Sequence, residues 1–164
     1  MKRKKSPYLT DFRLADVVAA LQIMGIYPWA SRQVEDWSKK LGNQLSADSW
    51  TTIFREHPEF FRLTDDGWAS LRWRHGYDRT YDADTGTELT PSQIQALNED
   101  QRKQLTRKPL TADQTEALMK TAVDFHTRAL EHEREHRWLT PFLFAILAAV
   151  IGFAGAILGA ILKS

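Results

Sequence analysis

The stretch Leu139 to Leu162, LTPFLFAILAAVIGFAGAILGAIL, constrains this chain more than any other. It carries no charge, and Thr140 and Pro141 at its entrance are its main departures from an apolar run. About 20 residues suffice for a helix to cross a hydrocarbon core about 30 Å thick. The run therefore predicts one transmembrane helix over 139–162, a tail anchor followed by Lys163 and Ser164. The alternative is a hydrophobic helix buried in a tight oligomer. Ala148, Gly152, Ala156 and Ala160 recur every fourth residue, and Gly155 and Gly159 form a GxxxG pair beside them. Helices in lipid associate where small residues let backbones approach, so this set predicts self-association into a homo-oligomer.

The chain has no cysteine, which excludes a disulfide framework, a thiol nucleophile and a cysteine-based zinc site. Charge is unevenly spread: residues 1–9 carry +4, residues 10–90 carry −4 and residues 91–138 are neutral. The basic stretch at the start lacks the apolar segment of an export signal. The expectation is a cytoplasmic N-terminal domain on a single-pass anchor. The arm at 1–9 suits a disordered tail that touches anionic lipid or nucleic acid.

Three helices open the reading. Thr10 or Asp11 caps a first one with Leu14, Val17, Val18, Leu21 and Met24 on one side and Gly25 as its stop. Ser31 caps a second, with Val34, Trp37 and Leu41 inward and Gly42 after its end. Ser46 caps a third, with Trp50, Ile53 and Phe54 on one face, ending before Pro58. The period then changes from 3.6 to 2. Residues 59–63 form a strand, Asp65-Asp66-Gly67 a turn and residues 68–74 the return strand, an Asp-Gly hairpin. On the return strand Ala69, Leu71 and Trp73 share one face, and Ser70, Arg72 and Arg74 the other.

Three helices followed by a hairpin is the order of a winged helix. The run His57-Pro58-Glu59-Phe60-Phe61-Arg62-Leu63, followed by a Gly turn and Ser70-Leu71, resembles the small winged helices of the LOTUS (OST-HTH) and HARE-HTH type. The resemblance covers under half the chain, about Leu14 to Arg74. It implies a domain that binds RNA, DNA or a protein partner.

Residues 77–89 are polar and turn-rich and read as a linker. Asp82-Ala-Asp84-Thr-Gly86-Thr-Glu88 departs from a calcium loop: Gly86 falls at position five, and Gln93 stands where a bidentate Glu is needed. Thr90-Pro91-Ser92-Gln93 and Thr111-Ala112-Asp113-Gln114 are capping boxes that open a helical stalk over 90–138. Its second helix carries a stripe of Leu118, Ala122, Phe125 and Ala129, suited to a seam between copies or to packing on the winged helix. His132-Glu133-Arg134-Glu135-His136 matches the H-E-x-x-H zinc-peptidase pattern literally. The segment is charged all round, however, and offers no third ligand downstream. His132 and His136 are metal candidates by spacing only; the reading is a solvated stalk, with no cofactor implied.

The predicted third helix is a poor reader of DNA, with Arg55 set against Asp48 and Glu56. The wing is richer: Arg62, Arg72, Arg74, His75 and Arg79 interleave with Trp68 and Tyr77. Arginine beside aromatic rings is what stacking on RNA or single strands uses. The expected ligand-binding set is Arg62, Trp68, Arg72, Arg74 and Arg79.

The expected architecture is thus mainly α: an arm at 1–9, a winged-helix domain at 10–76 with three helices plus a β-hairpin, a linker at 77–89, a stalk at 90–138 and a span at 139–162. The expected function is a non-enzymatic, membrane-tethered binding module or adaptor for an unidentified protein or nucleic-acid ligand. The alternative is a membrane effector whose span oligomerises when the cytoplasmic domain is triggered; a zinc peptidase is a minor one.

Overall fold

Helix α1, Arg13–Ile26, is the element on which the rest packs, in a computed structural model that describes residues 6–134. The chain divides into two compact units, one ending at His126 and the other beginning at Thr127. Val17, Ala20, Leu21 and Met24 are buried along α1 at the 3.6-residue period. Arg13 and Asp16 are buried too, because both reach the loop before the third helix. Asp16 accepts the backbone N–H groups of Leu45 (3.0 Å) and Ser46 (2.8 Å), and Arg13 Nε donates to Ser46 Oγ at 2.8 Å. Arg13 also ion-pairs with Glu56. A buried pair that is hydrogen-bonded on both sides holds its loop in one geometry.

The termini of α1 differ from expectation. Phe12, in the left-handed region at φ 61°, stands at the N-cap, and neither Thr10 nor Asp11 caps the helix with its side chain. Gly25 does not stop it. A Cβ there would lie 3.0 Å from Thr115 Oγ1, and the Gly25 carbonyl accepts the Leu110 N–H at 2.9 Å. Gly25 is where later chain crosses α1 closely.

Strand β1, Ser31–Gln33, occupies the place where a helix cap was expected. Helix α2, Val34–Leu41, follows directly and ends at Gly42, φ 78°. Its Trp37 is fully buried and donates Nε1–H to the Ala69 carbonyl at 2.9 Å. Helix α3, Trp50–Glu56, is capped by Ser49 rather than Ser46 and buries Trp50, Ile53 and Phe54. Burying each of these side chains stabilises the fold by about 1.5–3 kcal/mol. Strands β2, Phe61–Leu63, and β3, Trp68–Leu71, complete an antiparallel sheet of order β1-β3-β2. Phe61, Ala69 and Leu71 face the helices and are buried. Ser31, Ser70 and Arg62 align across the three strands on the opposite face.

Beyond the sheet, residues 73–76 form a 3-10 turn. The expected linker instead contains a two-stranded hairpin, β4, Tyr81–Asp82, and β5, Thr87–Glu88. Two short helices follow, α4, Pro91–Ala96, and α5, Glu99–Gln104, each opened by a capping box. An extended segment then enters the core with Leu105, Thr106 and Leu110 buried, and Thr106 bridges to Tyr81. A further helix, α6, is described over 112–134. Leu118 and Ala122 are buried, and the Phe125 ring lies 6.0 Å from those of Tyr8 and Phe60.

The expected fold class is therefore corrected. Among the described residues the chain is not three helices and a hairpin followed by a linker and a stalk; it contains two small sheets, of three and two strands. The first part of the expected stalk belongs to the unit that ends at His126. The membrane and tail-anchor expectation is corrected as well: among the described residues, no helix is long and apolar enough to cross a membrane. The apolar run at 139–162 lies outside the described residues, as do Ala148, Gly152, Gly155, Ala156, Gly159 and Ala160, and the second histidine of the H-E-x-x-H match, His136.

Candidate functional site

Arg74 decides how the arginine-rich segment is to be read. Strand β3 ends at Leu71 and the chain turns into the 3-10 turn, so the period-2 alternation stops before Trp73 and Arg74. The two exchange faces: Trp73 is 44% exposed and Arg74 is fully buried. Arg74 Nη1 donates to the carbonyls of Met24 (2.9 Å) and Tyr27 (2.6 Å), and Nη2 to those of Pro28 (2.9 Å) and Arg107 (2.5 Å). Met24 lies in the last turn of α1, where carbonyls lack helical partners and a cation is favoured. Burial pushes the Arg74 guanidinium down to about 10, which leaves it charged at neutral pH. These four bonds tie the end of α1 and the connector after it to the segment before α6.

Arg79 and Arg72 are also tied to backbone. Arg79 donates to the carbonyls of Leu105 and Lys103, each at 2.9 Å, and so holds the end of α5. Arg72 Nε donates to the Pro58 carbonyl at 2.5 Å. Arg62 stays exposed on the outer face of the sheet, with Nη1 2.6 Å from Nε2 of His75. A guanidinium only donates, so that imidazole nitrogen accepts. His75 is held below its ordinary pKa by burial, then by the positive charges of Arg107, Arg62 and Arg72. Trp68 is 41% exposed, and the Gln33 side-chain amide, turned to accept, takes its indole N–H at 2.7 Å.

Two hollows flank the β2–β3 hairpin. The larger, about 340 Å³, lies between α3 and the hairpin, with Phe54, Pro58, Phe61 and Leu63 against Arg55 and Arg72. The smaller, about 140 Å³, lies on the outer face of the sheet over Ser31, Ser70 and Arg62, and is rimmed by Trp68, His75 and Arg107. Arg107 reaches it from the extended segment before α6, and its Nε donates to the Tyr77 carbonyl at 3.0 Å. Burial lowers its pKa first, then the fields of Arg79 and Arg62, with Asp78 opposing. Among the described residues none of these cations forms an ion pair with a carboxylate.

Of the expected ligand set, Arg62, Trp68 and Arg74 thus meet at one hollow, Arg74 with its Nη atoms committed to backbone carbonyls; Arg72 lines the other, and Arg79 holds the end of α5. The sequence reading missed Ser31, Ser70 and Arg107. Ser31 was taken as a helix cap, although Ser31-Arg32-Gln33 leading into an apolar residue also fits a short strand. No local pattern ties Arg107 to two strands that lie 36 to 46 residues earlier. His132 lies on the described part of α6. No cluster of three or more His, Asp or Glu able to hold a metal occurs among the described residues. No protein-family model, curated protein or solved structure matches this chain.

Proposed function

We propose that this chain is a non-enzymatic binding module that grips a single-stranded nucleic acid across the outer face of its three-stranded sheet. The observation that carries this reading is the pairing of an exposed, hydrogen-bonded indole at Trp68 with the cations Arg62 and Arg107, which form no ion pair among the described residues, at one hollow. An aromatic face stacks on any base, and guanidinium groups beside it take the phosphates. The resemblance of the run His57 to Leu63 to domains of the LOTUS and HARE-HTH type, which implies binding of RNA, DNA or a protein, is in keeping with this reading. A second reading, an acidic peptide in the groove between α3 and the hairpin, is favoured by its apolar floor and by Arg55 and Arg72.

The test is fluorescence anisotropy with a labelled single-stranded oligonucleotide across a salt series. Trp68→Ala is expected to weaken binding by about 1–3 kcal/mol. Arg62→Gln is expected to reduce the salt slope by about 0.7. Binding that ignores both substitutions sinks the reading, and competition by an acidic peptide that depends on Arg55 would favour the second one.

A further inference from the structure

We infer that the 140 Å³ hollow on the outer face of the sheet is a seat for a phosphomonoester, the terminal phosphate of a strand or a mononucleotide. The inference deepens the nucleic-acid reading and rests on it for the identity of the molecule that carries the phosphate.

The floor is made by register. Ser31 pairs with Ser70 and Ser70 with Arg62, so two hydroxyls and a guanidinium stand in one row across three strands. Neither serine hydroxyl has a hydrogen-bond partner among the described residues. Arg62 uses Nη1 on His75 and Arg107 uses Nε on Tyr77, so each keeps donor nitrogens uncommitted among the described residues. Arg74 also lines the hollow, and its Nε is buried without a partner among the described residues, although its other two nitrogens donate four bonds. A buried donor left unpaired costs about 1–3 kcal/mol and asks for an acceptor.

Charge points the same way. Arg62, Arg74 and Arg107 converge on one hollow with His75, and after burial the positive charges of Arg107 and Arg62 add to what lowers the His75 pKa. Asp78 opposes such a lowering at Arg107 but makes no ion pair among the described residues. Such an arrangement is stabilised by an anion from outside the chain, and planar guanidinium groups match the paired oxygens of phosphate. The volume admits a tetrahedral oxyanion with some water and is too small for a nucleotide base and sugar as well. The base would therefore remain outside, beside the exposed indole of Trp68. The larger hollow beneath the hairpin has no comparable convergence of cations.

The experiment uses the full chain and has two arms. In the first, inorganic phosphate and adenosine monophosphate are titrated while the ring resonances of His75 are followed by NMR. In the second, anisotropy compares one oligonucleotide carrying a 5′-phosphate, a 3′-phosphate or neither. Saturable His75 shifts at millimolar phosphate are expected. One phosphorylated end is expected to bind about tenfold tighter than the bare strand, with the increment lost in Arg62→Gln and in Arg107→Gln. Ser70→Ala, which leaves every cation in place, is expected to remove part of it. If His75 responds to phosphate and the monophosphate but no oligonucleotide binds, the seat stands for a free phosphomonoester and the nucleic-acid reading falls. If oligonucleotides bind without regard to end phosphate and His75 does not shift, the seat is overturned while that reading stands. Sulfate acting as well as phosphate would mark an unselective oxyanion contact and also overturn the assignment.

Discussion

Arg74 Nη2 lies 2.5 Å from the carbonyl oxygen of Arg107, 33 residues further along the chain. Through this bond and its three others, one side chain joins the end of α1, the connector Tyr27-Pro28 and the segment that enters the core before α6. Replacing it by Met keeps the length of the stem but leaves four carbonyls without a donor. The expected cost is about 3–5 kcal/mol. Arg62→Gln, on the exposed face, should change stability by no more than about 0.5 kcal/mol. Urea midpoints of the two variants check the contrast; equal midpoints would show that Arg74 closes nothing.

The buried His57 ring and the Tyr8 hydroxyl both bond Glu59, with His57 Nδ1 at 3.0 Å. His126 Nδ1 lies 2.8 Å from the Tyr8 carbonyl, which brings α6 to the same place. Burial pushes the Glu59 carboxyl up, but hydrogen bonds from His57 and Tyr8 more than offset it and hold it below its ordinary range. Burial, then Glu59, raises the Tyr8 phenol. The two signs bound a window of pH. The Glu59 contribution is complete above the unfolded carboxyl value of about 4.3 and is lost as pH falls through the lower folded value. The Tyr8 contribution is complete below about 10 and is lost as pH rises towards the raised folded value. Denaturation midpoints of the natural chain and of Tyr8→Phe from acid to alkaline pH should diverge in the middle and converge towards both ends. Parallel curves would refute the coupling.

Phe12 holds a left-handed backbone at φ 61° with its ring 67% exposed. A bulky residue pays for that conformation, whereas Asn adopts it more readily and caps a following helix. Phe12→Asn should raise stability by about 0.5–1 kcal/mol, seen as a higher melting temperature. A fall would mean that the exposed ring packs usefully against its surroundings.

Much of the first part of the fold was legible because it is written in local periodicity. Val17, Leu21 and Met24 recur on one helical face, Val34 and Trp37 mark the buried face of the second helix and Gly42 its end, and Asp66-Gly67 turns the hairpin. Both predicted capping boxes form, at Thr90 with Gln93 and at Thr111 with Gln114. Ser31 was misread because serine serves equally as a helix cap and as an exposed strand residue. Only its pairing with Ser70 decides between them. Arg74 was misread because alternation was carried three residues past the point where the chain leaves the sheet.

What the sequence determined alone is what adjacent residues settle among themselves: helix faces, turn glycines, caps and the collection of arginines in one segment. Which arginine stays on the surface and which binds backbone carbonyls was decided only in three dimensions. The carbonyls that claim Arg74 lie 46 to 50 residues before it and 33 after it. A buried guanidinium goes where unpaired acceptors converge, and that convergence exists only once α1, the sheet and the segment before α6 have packed together.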